Sequence, residues 1–287
     1  MRHPVTSVRG PVQALSVILL FLPACQGQTD ATARRAIDRA GAVDAANMAE
    51  VMLTLADPTE AVAYFSRALQ DHPDNLDLQR GLAQSYLRAN EPEKAVKVWQ
   101  HVLAVAAEPA AEDRLHLTEV LIRSNDWTAA AAELNRIPPT YETFDRYRLE
   151  AMVADSRKDW RKADSFYDIA SGLTPHPAGV LNNWGFSKLN RGEFAAAERL
   201  FTQALTYDPT LFTAKNNLVL ARGAQRKYDL PVIVMDQTER ANLLYTLGLT
   251  AIKQGDISVG KALLAEAIET HPQYFEAAVR SLAALEG

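Results

Sequence analysis

The stretch Leu181–Pro209, LNNWGFSKLNRGEFAAAERLFTQALTYDP, decides the fold. Its apolar residues recur at three- and four-residue intervals, the spacing of one helix face. Gly192 interrupts that rhythm, at a point where a chain leaving a helix enters the left-handed region at little cost to glycine. Pro209 stops the second run, because its ring has no N–H and clashes with the preceding turn. The stretch therefore reads as two helices joined by a tight turn. Gly185 falls where two helices touch, and Ala197 and Ala204 are small residues at close-packing positions. Phe194 and Phe201 supply the bulk that fills space between neighbouring units.

The order Trp184-Gly185, Gly192, Phe194, Ala197, Phe201, Ala204, Pro209 follows the tetratricopeptide pattern, whose unit is about 34 residues. Working outward, the same marks recur. A first repeat spans about 42–75, with Ala61, Phe65, Ala68 and Pro73 in its second helix and no glycine or aromatic in its first. An atypical end unit is expected, since one of its sides has no neighbour. The second, 76–109, carries Leu82, Ala83, Tyr86, Ala95 and Trp99. The third, 111–143, holds register through Leu117, Leu121, Trp127, Ala130 and Leu134, and Pro138-Pro139 cuts it short. The fourth, 144–177, has Ala151, Trp160, Ala163, Tyr167, Ala170 and Pro175. The fifth, 178–211, contains the opening stretch.

Residues 212–240 then read as a half-repeat. Leu211–Gln225 has the pattern of a first helix, and Tyr228 stands where the turn aromatic belongs. In place of a second helix comes DLPVIVM, Asp229–Met235, with Pro231 at the packing alanine's position. Proline followed by β-branched residues predicts an extended crossing. A last full repeat, 241–274, follows with Leu247, Gly248, Gly255, Ile257, Gly260, Leu264, Ala267 and Pro272, and 275–287 reads as a capping helix. The predicted fold is all-α: a tetratricopeptide superhelix with one broken repeat, whose units bury apolar faces against one another and leave a concave groove.

Composition agrees with a globular helical chain of 287 residues: 48% apolar, 23% charged and only 13 glycines. The net charge of −5 and the absence of a lysine- or arginine-rich run argue against a nucleic-acid partner.

The N-terminal segment has a different character. Arg2 and Arg9 precede the short apolar run Val12–Leu22, and then comes Leu22-Pro23-Ala24-Cys25. A basic start, an apolar run too short to span a bilayer and a small residue before a cut describe a secretory signal. The lone cysteine cannot form an intramolecular disulfide. This stretch resembles a bacterial lipoprotein signal, departing from it at Pro23, and the resemblance implies cleavage after Ala24 and lipid on Cys25. A plain secretory signal or an uncleaved anchor are the alternatives. Gln26, where a retention signal would have Asp, implies the outer membrane, facing the periplasm. Residues 1–24 form the signal, and the polar segment 25–41 reads as a tether to a body spanning 42–287.

Sites of chemistry are sparse. Gly255–Lys261, GDISVGK, matches G-x-x-x-x-G-K. Ala262 follows where a hydroxyl should bind Mg²⁺, and no strand precedes it, so it reads as a repeat turn. The six histidines show no i, i+4 pair, there is no second cysteine, and no G-x-S-x-G appears. No metal or cofactor is expected, and the chain reads as non-enzymatic. The asparagine pairs Asn182-Asn183 and Asn216-Asn217 occupy one register in adjacent first helices. A primary amide both donates to and accepts from a peptide backbone. Asn183 and Asn217 resemble the asparagine ladder with which some tetratricopeptide grooves hold extended peptide; polar bridging between helices is the equal alternative. Phe186, Leu189 and Leu220 add apolar contact nearby or belong to the core.

From Leu181 onward the chain resembles the TadD-like lipoproteins of the tight-adherence (Flp) pilus system. The residues that carry this are Leu181-Asn182-Asn183-Trp184-Gly185, Asn216-Asn217-Leu218, Ala221-Arg222-Gly223, Tyr228–Pro231, Glu239-Arg240-Ala241 and His271-Pro272. The broken repeat between Asn217 and Ala241 is the most specific of these marks. The resemblance implies a lipid-anchored assembly factor, pilotin-like, that binds the secretin subunit or other pilus-assembly proteins. The alternative is a scaffold lipoprotein of another envelope machine, such as a type IV pilus secretin pilotin or an outer-membrane barrel assembly component.

Overall fold

The structure is a computed structural model that describes residues 47–108 and 110–285. The signal, the tether and Cys25 lie outside them. The chain divides into two units, one ending at Ala56 and the other running from Asp57. In the first, residues 47–54 are helical. The second holds α1 (Pro58–Asp71), α2 (Leu76–Arg88), α3 (Pro92–Val105), α4 (Ala111–Arg123) and α5 (Trp127–Leu134). It continues with α6 (Phe144–Ser156), α7 (Trp160–Gly172), α8 (Ala178–Asn190), α9 (Phe194–Tyr207) and α10 (Phe212–Ala224). It ends with α11 (Gln237–Lys253), α12 (Ile257–Thr270) and α13 (Glu276–Ala283), and no strand occurs among the described residues.

Within the second unit each helix packs on its neighbours in sequence, so the core there is a series of linked clusters and not one central mass. One small residue per unit opens the second helix and is fully covered: Ala61, Ala95, Ala130, Ala163 and Ala197. One turn later a large side chain is buried at the same register: Phe65, Trp99, Leu134, Tyr167 and Phe201. The small residue lets backbones approach, and the large one fills the space above it.

The turns between paired helices share one geometry. Two residues past α2, α4, α6, α8, α10 and α11 the backbone is left-handed, at Asn90, Asn125, Lys158, Gly192, Arg226 and Gly255. Glycine holds that position only twice; asparagine tolerates it, while Lys158 and Arg226 adopt it against their own preference. Arg226 lies 34 residues after Gly192, so the sixth unit keeps its first helix and its turn in register. The break comes only afterwards.

Beyond Arg226 the chain crosses residues 227–236 without a helix. Leu230 and Met235 pack into the C-terminal cluster, and Ile233 reaches both that cluster and the one beneath α9. Val232 and Val234 point outward. A strap of three inward side chains thus substitutes for a whole helix. It is held at its base by Arg222, which donates to Glu198 at 2.9 Å and to Asp229, and by the Tyr228 hydroxyl donating to Asp256.

α11 begins at Gln237, four residues before the repeat start expected at 241. The cause is a capping box: Asp236 accepts from the Glu239 N–H at 2.8 Å and Glu239 accepts from the Asp236 N–H at 3.1 Å. Glu239 also takes two bonds from the Lys215 ammonium, at 2.7 and 2.9 Å, joining α10 to α11 across the break. The G-x-x-x-x-G-K segment straddles the α11–α12 turn. A Cβ at Gly260 would meet Ile252 at 2.4 Å and the Gly248 carbonyl at 3.0 Å, so the glycine serves close helix packing. At the other irregular junction, the carbonyls of Pro138, Pro139 and Tyr141 all accept from Arg146, at 2.7, 3.1 and 3.2 Å, which pins the double-proline loop to α6. α13 buries Ala278 against the last pair, and the Phe275 ring ahead of it packs at a tilt against His271 and Tyr245.

Candidate peptide-binding groove

Among the first helices of successive pairs α4 packs on α6 and α8 on α10, while α6 and α8 stand further apart with a pocket between them. At helical period, Asp145, Arg148, Leu149, Met152, Asp155 and Ser156 make one face of α6. Asn183, Phe186, Ser187 and Asn190 make the corresponding face of α8. Met152 and Phe186 are 34 residues apart and occupy the same register. Between these faces lies a pocket of about 320 Å³, walled by Trp127, Trp160, Tyr167, Met152 and Phe186, with Asn183 and Asn190 on its α8 side. Phe186 is 47% exposed.

The walls are fixed by two polar clusters. Asp155 accepts from the Ser187 hydroxyl at 2.6 Å and the Tyr167 hydroxyl at 2.9 Å, tying α6, α7 and α8 together. Burial pushes the Asp155 carboxyl up, against the pull of those two hydrogen bonds. Burial, and then the Asp155 charge, push the Tyr167 phenol up. Behind them, Asp164 accepts from the Trp184 indole at 2.6 Å, Lys188 at 2.8 Å and Arg191 at 2.7 and 3.1 Å. Burial raises the Asp164 carboxyl, but its bonds from Arg191, Lys188 and Trp184 outweigh that and hold it at about 2. Arg191 in turn lies over the Trp160 ring at 5.2 Å, so this ion cluster sets one wall of the pocket.

A pH dependence follows. A depressed carboxyl contributes stability that is present above its unfolded value, near 3.8, and lost as pH falls through its folded one. The Asp164 share, on the order of 2 kcal/mol, should vanish between about pH 4 and pH 2. In thermal melts the Asp164→Asn variant should be less stable than wild type at pH 7, and the gap should close by pH 2. A constant gap would show that the charge is not what matters.

The asparagine pairs fall differently from a parallel ladder. Asn217 donates its amide to the Asn182 carbonyl oxygen at 3.0 Å, and Asn216 accepts from the Thr246 hydroxyl at 2.8 Å. The first helices of the fifth, sixth and seventh units are therefore laced to one another by side-chain amides. Only Asn183 of the four lines the pocket. The reason is register: stacked helices twist past one another, which brings Asn217 opposite Asn182 and not opposite Asn183. Leu189 is half-buried, packs against the cluster beneath α9 with Leu181 and Phe201, and does not line the pocket. Leu220 is half-buried on α10 and outside the pocket lining. Gly185 and Gly248 face the Phe201 ring and Leu264, and Ala197, Ala204 and Ala267 are fully buried.

Asn217→Ala should therefore cost about 1 kcal/mol of stability through the lost bridge, whereas Asn183→Ala should leave the melt unchanged. Equal melting of both variants would remove the lacing. Trp127, Trp160, Met152 and Asp155 were not foreseen as groove residues. The first two carry the repeat register as well, and that second role hid them. The signal was available for Met152, one repeat ahead of Phe186.

Among the described residues no cluster of metal-binding side chains occurs, and no helix is long and apolar enough to cross a membrane. Residues 52–113 match the tetratricopeptide-repeat family model. The fold is that of a tetratricopeptide superhelix. Solved structures that share it include a tetratricopeptide protein from Parabacteroides merdae, at 12% identity and a TM-score of 0.57 over 84% of this chain and 97% of that one. Pseudomonas aeruginosa pilF aligns at 16% identity and a TM-score of 0.50, over 73% of this chain and 96% of that one. The anaphase-promoting-complex Cut9–Hcn1 assembly aligns at 13% identity and a TM-score of 0.59 over 80% of this chain. This chain spans 46% of that chain's length. At these identities the likeness is one of fold. No curated protein matches the chain by sequence.

Proposed function

We propose that this protein is a non-enzymatic binding scaffold, an outer-membrane lipoprotein that captures a partner protein during tight-adherence pilus assembly, in the manner of a secretin pilotin. The observation that carries the scaffold is the aromatic pocket with a half-exposed Phe186, opening on the groove face of a tetratricopeptide superhelix. Such superhelices present extended concave surfaces for binding. The pilus assignment is supported by the resemblance from Leu181 onward, including the strap at Asp229–Met235. The lipobox at Leu22–Cys25 supports the anchor, and anchoring raises the partner's effective concentration without a new contact.

The test is fractionation and co-purification of tagged full-length protein from its native cell. Recovery in the outer membrane with a secretin is the expected result. Recovery there with other envelope proteins discards the pilus assignment and keeps the scaffold. Cys25→Ser should abolish acylation while leaving the body folded, and a soluble, unacylated wild type removes the lipoprotein reading.

A further inference from the structure

The groove face carries a second pocket, and its chemistry names the kind of peptide that fits. About 170 Å³ in volume, it lies between α4 and α6 and is rimmed by Glu112, Glu119 and Asp145. Arg148 sits among them, bonded to Asp145 at 3.1 Å. It approaches Glu119 only to 3.6 Å, as does Arg123, and Glu112 has just His116 at 4.0 Å. The contacts of Glu119 with the two arginines and of Glu112 with His116 are thus too long to be hydrogen bonds, and both carboxylates keep most of their acceptor capacity. Carboxylates outnumber the cation inside this rim.

The two pockets share one helix face. Asp145, Arg148 and Leu149 of α6 line the acidic one, and Met152, Asp155 and Ser156 line the aromatic one. Along the α6 axis they are offset by about seven residues, or roughly 10 Å at 1.5 Å per residue. An extended chain covers that distance in about three residues. Beyond the aromatic pocket the Asn182–Asn217 and Asn216–Thr246 bridges join the next first helices. The two pockets together are apolar at one end and acidic at the other.

We infer that the groove binds an extended segment of a partner protein bearing a bulky apolar side chain and a basic side chain about three residues apart. The apolar group enters the pocket between Phe186, Met152, Trp127 and Trp160. The ammonium or guanidinium lies between Glu112 and Glu119. Asn183 and Asn190, one above and one below Phe186 on α8, are placed to bond the peptide backbone on either side of the anchor. This rests on the scaffold reading and adds to it the chemistry of what is captured.

The experiment is a fluorescence-anisotropy titration of detergent-solubilised full-length protein. The probes are labelled Gly-Ser peptides with lysine and phenylalanine three residues apart, in both orders. One order should bind about tenfold more tightly than its counterparts with glutamate for lysine or serine for phenylalanine. Phe186→Ala should lower the affinity about tenfold, and Glu112→Gln with Glu119→Gln should erase the preference for lysine over glutamate. Phe186 and Glu112 are exposed and Glu119 is partly buried, and circular dichroism of each variant checks that the fold is kept. Equal binding of lysine and glutamate peptides, or unchanged affinity in Phe186→Ala, overturns the inference. Failure here is separable from failure of the pilus reading. A secretin that still co-purifies with Phe186→Ala keeps the pilotin role and removes this groove as its dock. Peptide selectivity with no secretin in the eluate keeps the groove chemistry and removes the pilotin role.

Discussion

Glu239→Ala should lower the stability of the C-terminal units by about 3–4 kcal/mol, the largest loss expected from any single surface-accessible change in this chain. Two causes add. The Lys215 side chain is only 3% exposed, and Glu239 is its ion-pair partner. Removing the carboxylate leaves a buried ammonium without compensation, which typically costs more than the pair itself contributes. The same side chain closes the capping box with Asp236, so its loss also frees the Asp236 backbone N–H at the start of α11. Glu239→Gln separates the two, because glutamine keeps an oxygen for the cap and loses the charge. Adding Lys215→Met to Glu239→Gln should recover most of the loss, since an apolar chain of similar length fills the same space. Chemical denaturation of the four proteins decides the matter. If the double variant is no more stable than Glu239→Gln, the buried charge is not the cause.

Gly185→Val should cost about 1–3 kcal/mol or more. A Cβ built at Gly185 comes within 2.6 Å of the Phe201 ring, which is fully buried. The ring cannot retreat, because Ala197, Ala204 and Leu218 surround it in the same cluster. Phe201→Leu in the Gly185→Val background should restore part of the stability by removing the collision, although Phe201→Leu alone destabilises. The pair should thus show strong non-additivity in a double-mutant cycle. Simple additivity would mean that the glycine is needed for some other reason than this contact. Gly81 stands against Phe65 at 2.3 Å, and the same experiment there should give the same sign.

These two sites differ in how readable they are. Gly185 and Phe201 belong to a repeat pattern, and helical spacing alone places them on facing surfaces. Lys215 and Glu239 are 24 residues apart, with a proline-containing crossing between them. Asp236-x-x-Glu239 was a local sign of a helix start, and it accounts for α11 beginning before the expected repeat. That Glu239 also neutralises Lys215 required the path of the strap. The turns tell a similar story. Glycine at 192 and 255 marks a left-handed residue openly, whereas Lys158 and Arg226 take the same conformation with no sign in their identity. The helix pair imposes it on them.

By itself, the sequence determined the all-helical superhelix, the helix-free crossing after Arg226 and the close-packing role of the small residues. Those follow from hydrophobic period, proline geometry and the turn spacing, all of them local properties of the chain. The tertiary structure alone decided which polar side chains face solvent and which face each other. Asn182 and Asn217 became a bridge and Asn183 a pocket residue because stacked helices are offset by their twist, and one residue of offset exchanges a groove amide for an interhelix one. It also brought Trp127, Met152, Trp160 and Phe186 from three different units to one cavity. Nothing in the spacing of those four residues states how far α6 and α8 stand apart. That distance is set by the side chains packed between neighbouring units, and it is what leaves the pocket open.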